Sequence, residues 1–385
     1  MIRMISVNKM KKLLIIILGI FLIGFVFEGI IANKSNVYKE QKVGSIKKNK
    51  KLLSINLEQT AGAGDYKTVT QSNWPTDGYV FNEELSKCEN GSTLSWDDTN
   101  KKVIVSGSLT DKCYVYFDKI LTLAEYVKSQ YTGTQGENGI YYHNSSLANG
   151  AEDNSYRYAG ASDSVNNYIC LGSDAATCPD ANLFKIIGVF GGQIKIIRAK
   201  SIGNKYWDTN GSNTWSTSSL NAYLNGEYLT SLGTIADKIA TTTWKVGGVL
   251  NTNITSSVPK KAYQYEVGSS ASSTTYESKI GLLYVSDYEY GASLSAWTLV
   301  GWDTSDATKD YRSATSINWL YLGSDEWTIS PLSGLSGYAI LVKLGRVGNS
   351  RVQYGSYAVR PSFNLESTVA YVSGSGTQSD PIRIN

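Results

Sequence analysis

Residues 13–32 constrain this chain more than any other stretch. Met1 to Lys12 carries Arg3, Lys9, Lys11 and Lys12, and is followed by the apolar run Leu13 to Phe27 and then Glu28-Gly-Ile-Ile-Ala32. A basic region ahead of such a run has the form of a secretory signal, and Ile30-Ile-Ala32 ends on a small residue suited to cleavage. Counted on to Ala32, the segment has about the ~20 residues that a helix needs to cross hydrocarbon. We expect a basic cytoplasmic tail (1–12) and a signal anchor (13–32), so that the body is a single-pass extracellular domain set. The alternative is a signal peptide cleaved near Ala32, which would release a secreted protein.

Charge follows the same division. Residues 1–51 hold 11 basic and 2 acidic groups, against 25 and 31 in the remainder. A nucleic-acid binder needs its basic excess on the folded part, where it displaces counterions from phosphates. Here the folded part is acidic, so nucleic acid is excluded as a partner. Residues 33–52 form a linker with Lys34, Lys39, Lys42, Lys47, Lys48, Lys50 and Lys51. By the positive-inside rule these lysines pull the body toward the cytoplasm. The cysteines pull it outward.

Four cysteines allow three pairings. The nearest-neighbour one joins Cys88 to Cys113 and Cys170 to Cys178, segments that read as adjacent hairpin strands. Two bridges indicate an oxidising compartment. No ligand spacing for zinc occurs, and one histidine in 385 residues leaves no material for a histidine-based metal cage or a Ser/His/Asp triad. No metal or cofactor is expected. We therefore place the body outside, with the lysines lying along an anionic membrane or wall surface.

Many glycines, serines and threonines and only 6 prolines predict short strands joined by polar turns, a β-rich α+β protein. From Leu53 to Lys119, the runs at Tyr66, Gly78 to Phe81, Thr93 to Trp96, Lys102 to Ser106 and Cys113 to Phe117 predict a small Ig-like β-sandwich (53–119). Leu121 to Lys128 reads as a short helix within a connector (120–154). Beyond it, strands are expected at 155–159, 167–171, 183–190 and 193–199, with Gly191-Gly192 as the hairpin turn. Ser216 and Thr217 offer an N-cap for a helix over 218–228. Ser286 to Glu289 reads as a capping box after a strand over 281–285. Further strands are expected at 327–330, 338–344, 346–354 and 357–365.

Taken in order, LFKIIGVF, W-x-x-S-x-L-x-x-Y-L-N at Trp215 to Asn225, GLLYVSDYE at Gly281 to Glu289, EWTISP at Glu326 to Pro331 and YAVRPSFNL at Tyr357 to Leu365 resemble an uncharacterised family of secreted bacterial domains. That family is similar to the C-type-lectin-like fold shared by formylglycine-generating enzymes and retroelement-diversified surface receptors. The resemblance spans roughly residues 155–385. It implies that Trp215, Trp327 and Arg360 are framework positions, the arginine holding backbone carbonyls, and it implies no catalytic residue. The cysteine chemistry of the formylglycine enzymes has no counterpart, because Cys170 and Cys178 precede the matching motifs.

Other chemistry is sparse. Ser257-Val-Pro-Lys260 fits S-x-x-K, but no K-T-G follows and Pro259 argues against the helix that would join Ser to Lys. Asp208, Asn210 and Ser212 alternate as calcium ligands do, without the rest of an EF-hand, and read better as an Asx-type turn. The loop from Trp297 to Trp319 gathers Trp297, Trp302, Asp303, Asp306, Tyr311, Arg312 and Trp319, the aromatic-plus-polar composition that holds sugars and peptides. These seven are the candidate ligand-binding residues. The function expected is a membrane-tethered surface protein that binds a glycan or protein without catalysis. A ligand-free structural component of the envelope, or an enzyme acting on envelope sugars or peptides, are the alternatives.

Overall fold

Alternation of apolar and polar side chains builds six strands between Leu53 and Lys119 in the computed structural model, which describes residues 53–70, 74–75, 78–108 and 110–385. The tail, anchor and linker expected over 1–52 lie outside the described residues. Among the described residues no helix is long and apolar enough to cross a membrane. The six strands are β1 (Leu53–Glu58), β2 (Tyr66–Val69), β3 (Tyr79–Cys88), β4 (Thr93–Asp97), β5 (Lys102–Ser106) and β6 (Cys113–Lys119). They form a sheet of order β2-β1-β6-β3, in which β1 and β6 run parallel, and a separate β4–β5 hairpin. Leu94 of the hairpin and Ile55, Leu57, Val115 and Phe117 of the sheet share one core, and Trp96 meets Phe117 edge-on at 5.4 Å. Strand β1 escaped the sequence pattern because its polar residues point inward. Glu58 is buried, accepting the backbone N–H groups of Gly64 and Lys119.

The chain divides between Ile120 and Leu121 into two compact units. In the second, helix α1 (Leu123–Ser129) is closed by a capping box between Thr122 and Glu125 and buries Leu123, Ala124 and Val127 in the main core. Strand β7 (Ile140–Tyr142) follows. Residues 121–154, expected as a connector, are thus part of this unit. Next come β8 (Tyr156–Tyr158), β9 (Tyr168–Cys170), β10 (Leu183–Phe190), β11 (Gln193–Arg198), β12 (Asn204–Lys205), β13 (Thr242–Lys245) and β14 (Thr275–Ser278). The last are β15 (Glu326–Pro331), β16 (Tyr338–Lys343), β17 (Arg346–Arg351), β18 (Tyr357–Ala358), β19 (Ser362–Leu365), β20 (Tyr371–Ser373) and β21 (Ile382–Ile384). One sheet has the order β19-β11-β10-β9-β21-β20, with β8 also pairing with β10 and β7 with β8. A second has the order β12-β18-β15-β16-β17, and β13 with β14 forms a ribbon.

The β10–β11 hairpin turns at Gly191 and Gly192, both at positive φ (56° and 89°), as a two-residue hairpin turn requires. Helices differ from expectation in their starts. Ser218, not Ser216 or Thr217, is the N-cap of Ser219–Tyr223, its Oγ accepting from the Asn221 N–H at 3.1 Å. Pro259 opens helix α2 (Pro259–Glu266) rather than forbidding it, since an N–H in the first turn has no intrahelical acceptor and proline loses no bond there. Helix α3 (Val285–Tyr290) begins at the end of the expected strand 281–285, and its box is formed by Asp287 on the Tyr284 N–H at 2.8 Å, not by Ser286 with Glu289. Glu266, from the end of α2, takes the next two N–H groups, Val285 and Ser286, each at 2.9 Å. Every residue of α3 is buried.

Arg360 is fully buried and lies bidentate on Glu326 at 2.7 Å, with its Nη2 also donating to the Leu320 carbonyl at 2.6 Å. Trp215 and Trp327 are core side chains. Both disulfides pair as nearest neighbours. Cys88 and Cys113 face each other in the β3–β6 register, and Cys170 closes on Cys178.

Candidate functional site

Lysine and arginine are rare inside apolar strands because an ammonium or guanidinium loses its hydration there. Two such residues, Arg157 in Tyr-Arg-Tyr (β8) and Lys195 in Gln-Ile-Lys-Ile-Ile-Arg (β11), are nevertheless buried at 2% and 5% exposure. Both line a cavity of about 170 Å³ bounded by β8, β13, the β10–β11 hairpin, α2 and α3. At liquid density that is room for about six waters. Strand β8 reaches this position because Gly188 of β10 has no side chain. A Cβ there would stand 2.1 Å from the Tyr156 carbonyl oxygen.

Each cation has its own carboxylate. Arg157 Nη2 lies 2.5 Å from Asp153, and Lys195 Nζ lies 2.5 Å from Asp287. Arg157 Nε also donates to Ser155 Oγ at 2.8 Å. Aromatic faces cover both groups. The guanidinium sits 4.7 Å from the Phe190 ring centre, 4.9 Å from Tyr290 and 5.2 Å from Tyr263. The ammonium sits 4.5 Å from Tyr284, 5.5 Å from Trp244 and 5.8 Å from Phe190. Burial acts to raise the Asp153 carboxyl, but Arg157 and the Ser155 donors outweigh it and hold the group down at about 2. Burial, with Asp153 beside it, pushes the Tyr263 hydroxyl up, so it stays protonated as a donor. The arrangement offers charge and hydrogen bonds around an apolar floor.

The seven residues predicted for ligand contact do not form one site: Asp303, Asp306 and Arg312 meet in one loop beside Trp302, with Arg312 Nη2 donating to the Asp303 carbonyl at 2.8 Å, while the other three are buried. Trp297, Tyr311 and Trp319 are core side chains, with Trp297 Nε1 on the Ala292 carbonyl, Tyr311 Oη on that of Glu289 and Trp319 Nε1 on that of Tyr158. Asp303 and Asp306 accept from their own loop, at Ser305, Asp306 and Thr308 N–H groups, and Arg312 is bidentate on buried Asp310. Trp302 is half-buried under the Arg346 guanidinium at 4.0 Å. Elsewhere Asp208 accepts from the Asn210, Ser212 and Ser219 N–H groups, an Asx-type turn. Ser257 bonds the Thr252 carbonyl while Lys260 pairs with Glu152, so the S-x-x-K residues do not meet. Among the described residues no group of acidic, histidine and cysteine side chains has metal-site geometry.

Sequence reasoning passed over Arg157, Lys195, Asp153 and Asp287. The legible signal was a charge in the middle of an apolar strand, a pattern a buried pair explains. Comparison with known families, curated proteins and solved structures returns no match for this chain.

Proposed function

We propose that the protein is a membrane-tethered component of a bacterial cell surface whose second unit, 121–385, binds a small extracellular ligand, a glycan unit or a protein side chain, without chemical turnover. On this reading the second unit is a C-type-lectin-like domain, the sheet-and-hairpin module ahead of it is a sandwich-type spacer, and 13–32 anchor it. The observation that carries the binding reading is the convergence of two buried ion pairs and several aromatic rings on one cavity. Buried pairs cost about as much desolvation as they return in attraction. Two of them at one open cavity are better suited to specificity than to stability. The export reading is supported by the pairing of all four cysteines, as an oxidising compartment favours.

One observation favours the structural alternative: the two buried cations, Arg157 and Lys195, already have their carboxylates without a ligand. A glycan array probed with the detergent-solubilised full chain separates the two. Selective retention, abolished by Thr243→Trp, which fills the exposed rim of the cavity, supports the binder. Retention unchanged in that variant removes the site, and no retention on any glycan or protein array favours the structural component.

A further inference from the structure

We infer that Lys195 and Asp287 condense to an amide, a covalent side-chain cross-link between β11 and α3. The inference goes beyond the binding reading and does not depend on it.

Arg360–Glu326 and Lys195–Asp287 are ion pairs with both side chains less than a tenth exposed, at 2% and 1% in the first and 7% and 3% in the second. Only the second contains a nucleophile in waiting, because a guanidinium keeps its proton and an ammonium can give one up. Lys195 Nζ lies 2.5 Å from Asp287 Oδ2. The carboxyl carbon stands one bond of ~1.2 Å beyond that oxygen, close to the ~3–3.5 Å of a near-attack contact. Both ends are held in place. Lys195 is on β11, flanked in its sheet by β10 and β19, and Asp287 is on α3, whose residues are all buried. Fixed geometry of this kind stands in for a very high concentration of one reactant.

The surroundings favour the product. The rings of Tyr284, Trp244 and Phe190 cover the ammonium, so a neutral amide replaces two charges that burial penalises. Asp287 Oδ2 also accepts the Tyr284 N–H at 2.8 Å, a donor aimed at the negative charge that gathers on this oxygen during addition. The step balances without a co-reactant. One proton passes from Nζ to the carboxylate, and the freed amine attacks the Asp287 Cγ. The C–N bond forms, the C–Oδ1 bond breaks, and Oδ1 departs as water with two protons, both from the ammonium. Oδ2 stays as the amide carbonyl and keeps the Tyr284 bond, so α3 retains its cap. Lys195 and Asp287 both line the cavity, which gives the water a way out. The bond ties residues 92 apart, where the disulfide of this unit ties residues 8 apart, and a thiol reductant does not open it.

The test is mass spectrometry of the folded full chain, reduced and digested with trypsin. Cleavage after Lys185, Arg198, Lys279 and Lys309 should release one branched peptide, 186–198 joined to 280–309, lighter than the sum of its parts by one water and uncut at Lys195. Lys195→Arg keeps a cation beside Asp287 but has no amine. It should yield linear peptides only, while its circular dichroism matches the wild type. Asp287→Ala should also yield linear peptides, and a branch that persists there lies on another carboxylate and overturns the inference. Should either variant misfold, the wild-type digest decides alone. Linear 186–195 and 280–309 from most of the wild-type chain overturn the inference and leave the glycan-array result as it stands.

Discussion

Asp287 and Glu289 sit two residues apart on the six-residue helix α3, yet the first carboxylate is paired with Lys195 at 2.5 Å while neither oxygen of the second has a partner. Helical rotation turns Asp287 to the cavity and Glu289 into the core. Burial, with Glu266 nearby, pushes the Glu289 carboxyl well above its ordinary 4.5. It is held as a neutral acid.

This fixes a sign for stability against pH. Above about 4.5 the unfolded chain ionises Glu289 while the native state keeps the proton, so the native state binds more protons and stability falls as pH rises, until the native group itself titrates. Glu289→Gln removes that slope, up to about 1.4 kcal/mol per pH unit. Urea unfolding at pH 5, 6, 7 and 8 should show the variant gaining on the wild type with each step. A constant difference across that range would contradict the assignment.

His143 acts in the opposite sense. Its Nδ1 accepts from the Ala151 N–H at 3.1 Å, its Nε2 is buried without a partner, and Tyr290 and Trp297 pack against the ring. Burial, aided by the Arg157 charge, holds its pKa well below 6.5. The unfolded chain then binds a proton that the native state refuses, and stability is lost as pH falls below about 6.5. His143→Asn keeps an acceptor for Ala151 and should flatten the acid limb of the stability curve in chemical unfolding. An unchanged acid limb would show that other groups set it.

Lys185 is 6% exposed and lies between the rings of Tyr168 at 4.4 Å and Trp319 at 5.3 Å, with no carboxylate at hand among the described residues. Burial, with Arg360 nearby, pulls its pKa down to about 8. Between that value and 10.5 the unfolded chain holds the proton more firmly, so the ammonium penalises the native state at neutral pH. Lys185→Met should raise stability at pH 7 by about 3 kcal/mol and by less at each step toward pH 10. Thermal unfolding over that range reads it directly.

Breaking the Arg360–Glu326 pair from one side leaves a buried carboxylate alone, which costs about 3–5 kcal/mol. Arg360→Met should lower stability by that amount, and Arg360→Met combined with Glu326→Gln should recover most of it. Denaturation of the single and double variants gives the coupling. Additive losses would show that the two side chains do not act as a unit.

Among the cysteines, the bridge spanning 25 residues should contribute about 3.5 kcal/mol and the one spanning 8 about 2.5 kcal/mol in the chain-entropy picture. Replacing Cys88 and Cys113 with serine should therefore cost the first unit more than the matching change at Cys170 and Cys178 costs the second. Chemical unfolding followed through each unit's tryptophans checks the order.

Local signals were legible and distant ones were not. Gly191-Gly192, the cysteine pairs, and the strands from β3 to β6 follow from turn chemistry and two-residue alternation, which act over a few residues. The depth of a tryptophan does not. Trp297 and Trp319 share the loop composition of Trp302, and only tertiary packing sends them inward. Helix starts were misjudged by up to two residues because neighbouring Ser and Thr residues offer equivalent caps, of which Ser218 is used, and because at α3 the box comes from Asp287 while Glu266, nineteen and more positions away, takes the next two N–H groups. The cavity was hidden for the same reason, since Arg157, Lys195, Trp244, Tyr263, Asp287 and Asn364 come from six separate elements.

Strand β21 lies between β9 and β20, parallel to the first, with Ile382 opposite Ile169. Some two hundred residues separate those partners, so the β9–β21 ladder, unlike the local β9–β10 and β20–β21 pairs, forms only after a long loop closure. The second unit can therefore close this sheet only when β21 is available to pair with β9. Until that moment the side of β9 away from β10 is an open edge, a template on which another chain could pair.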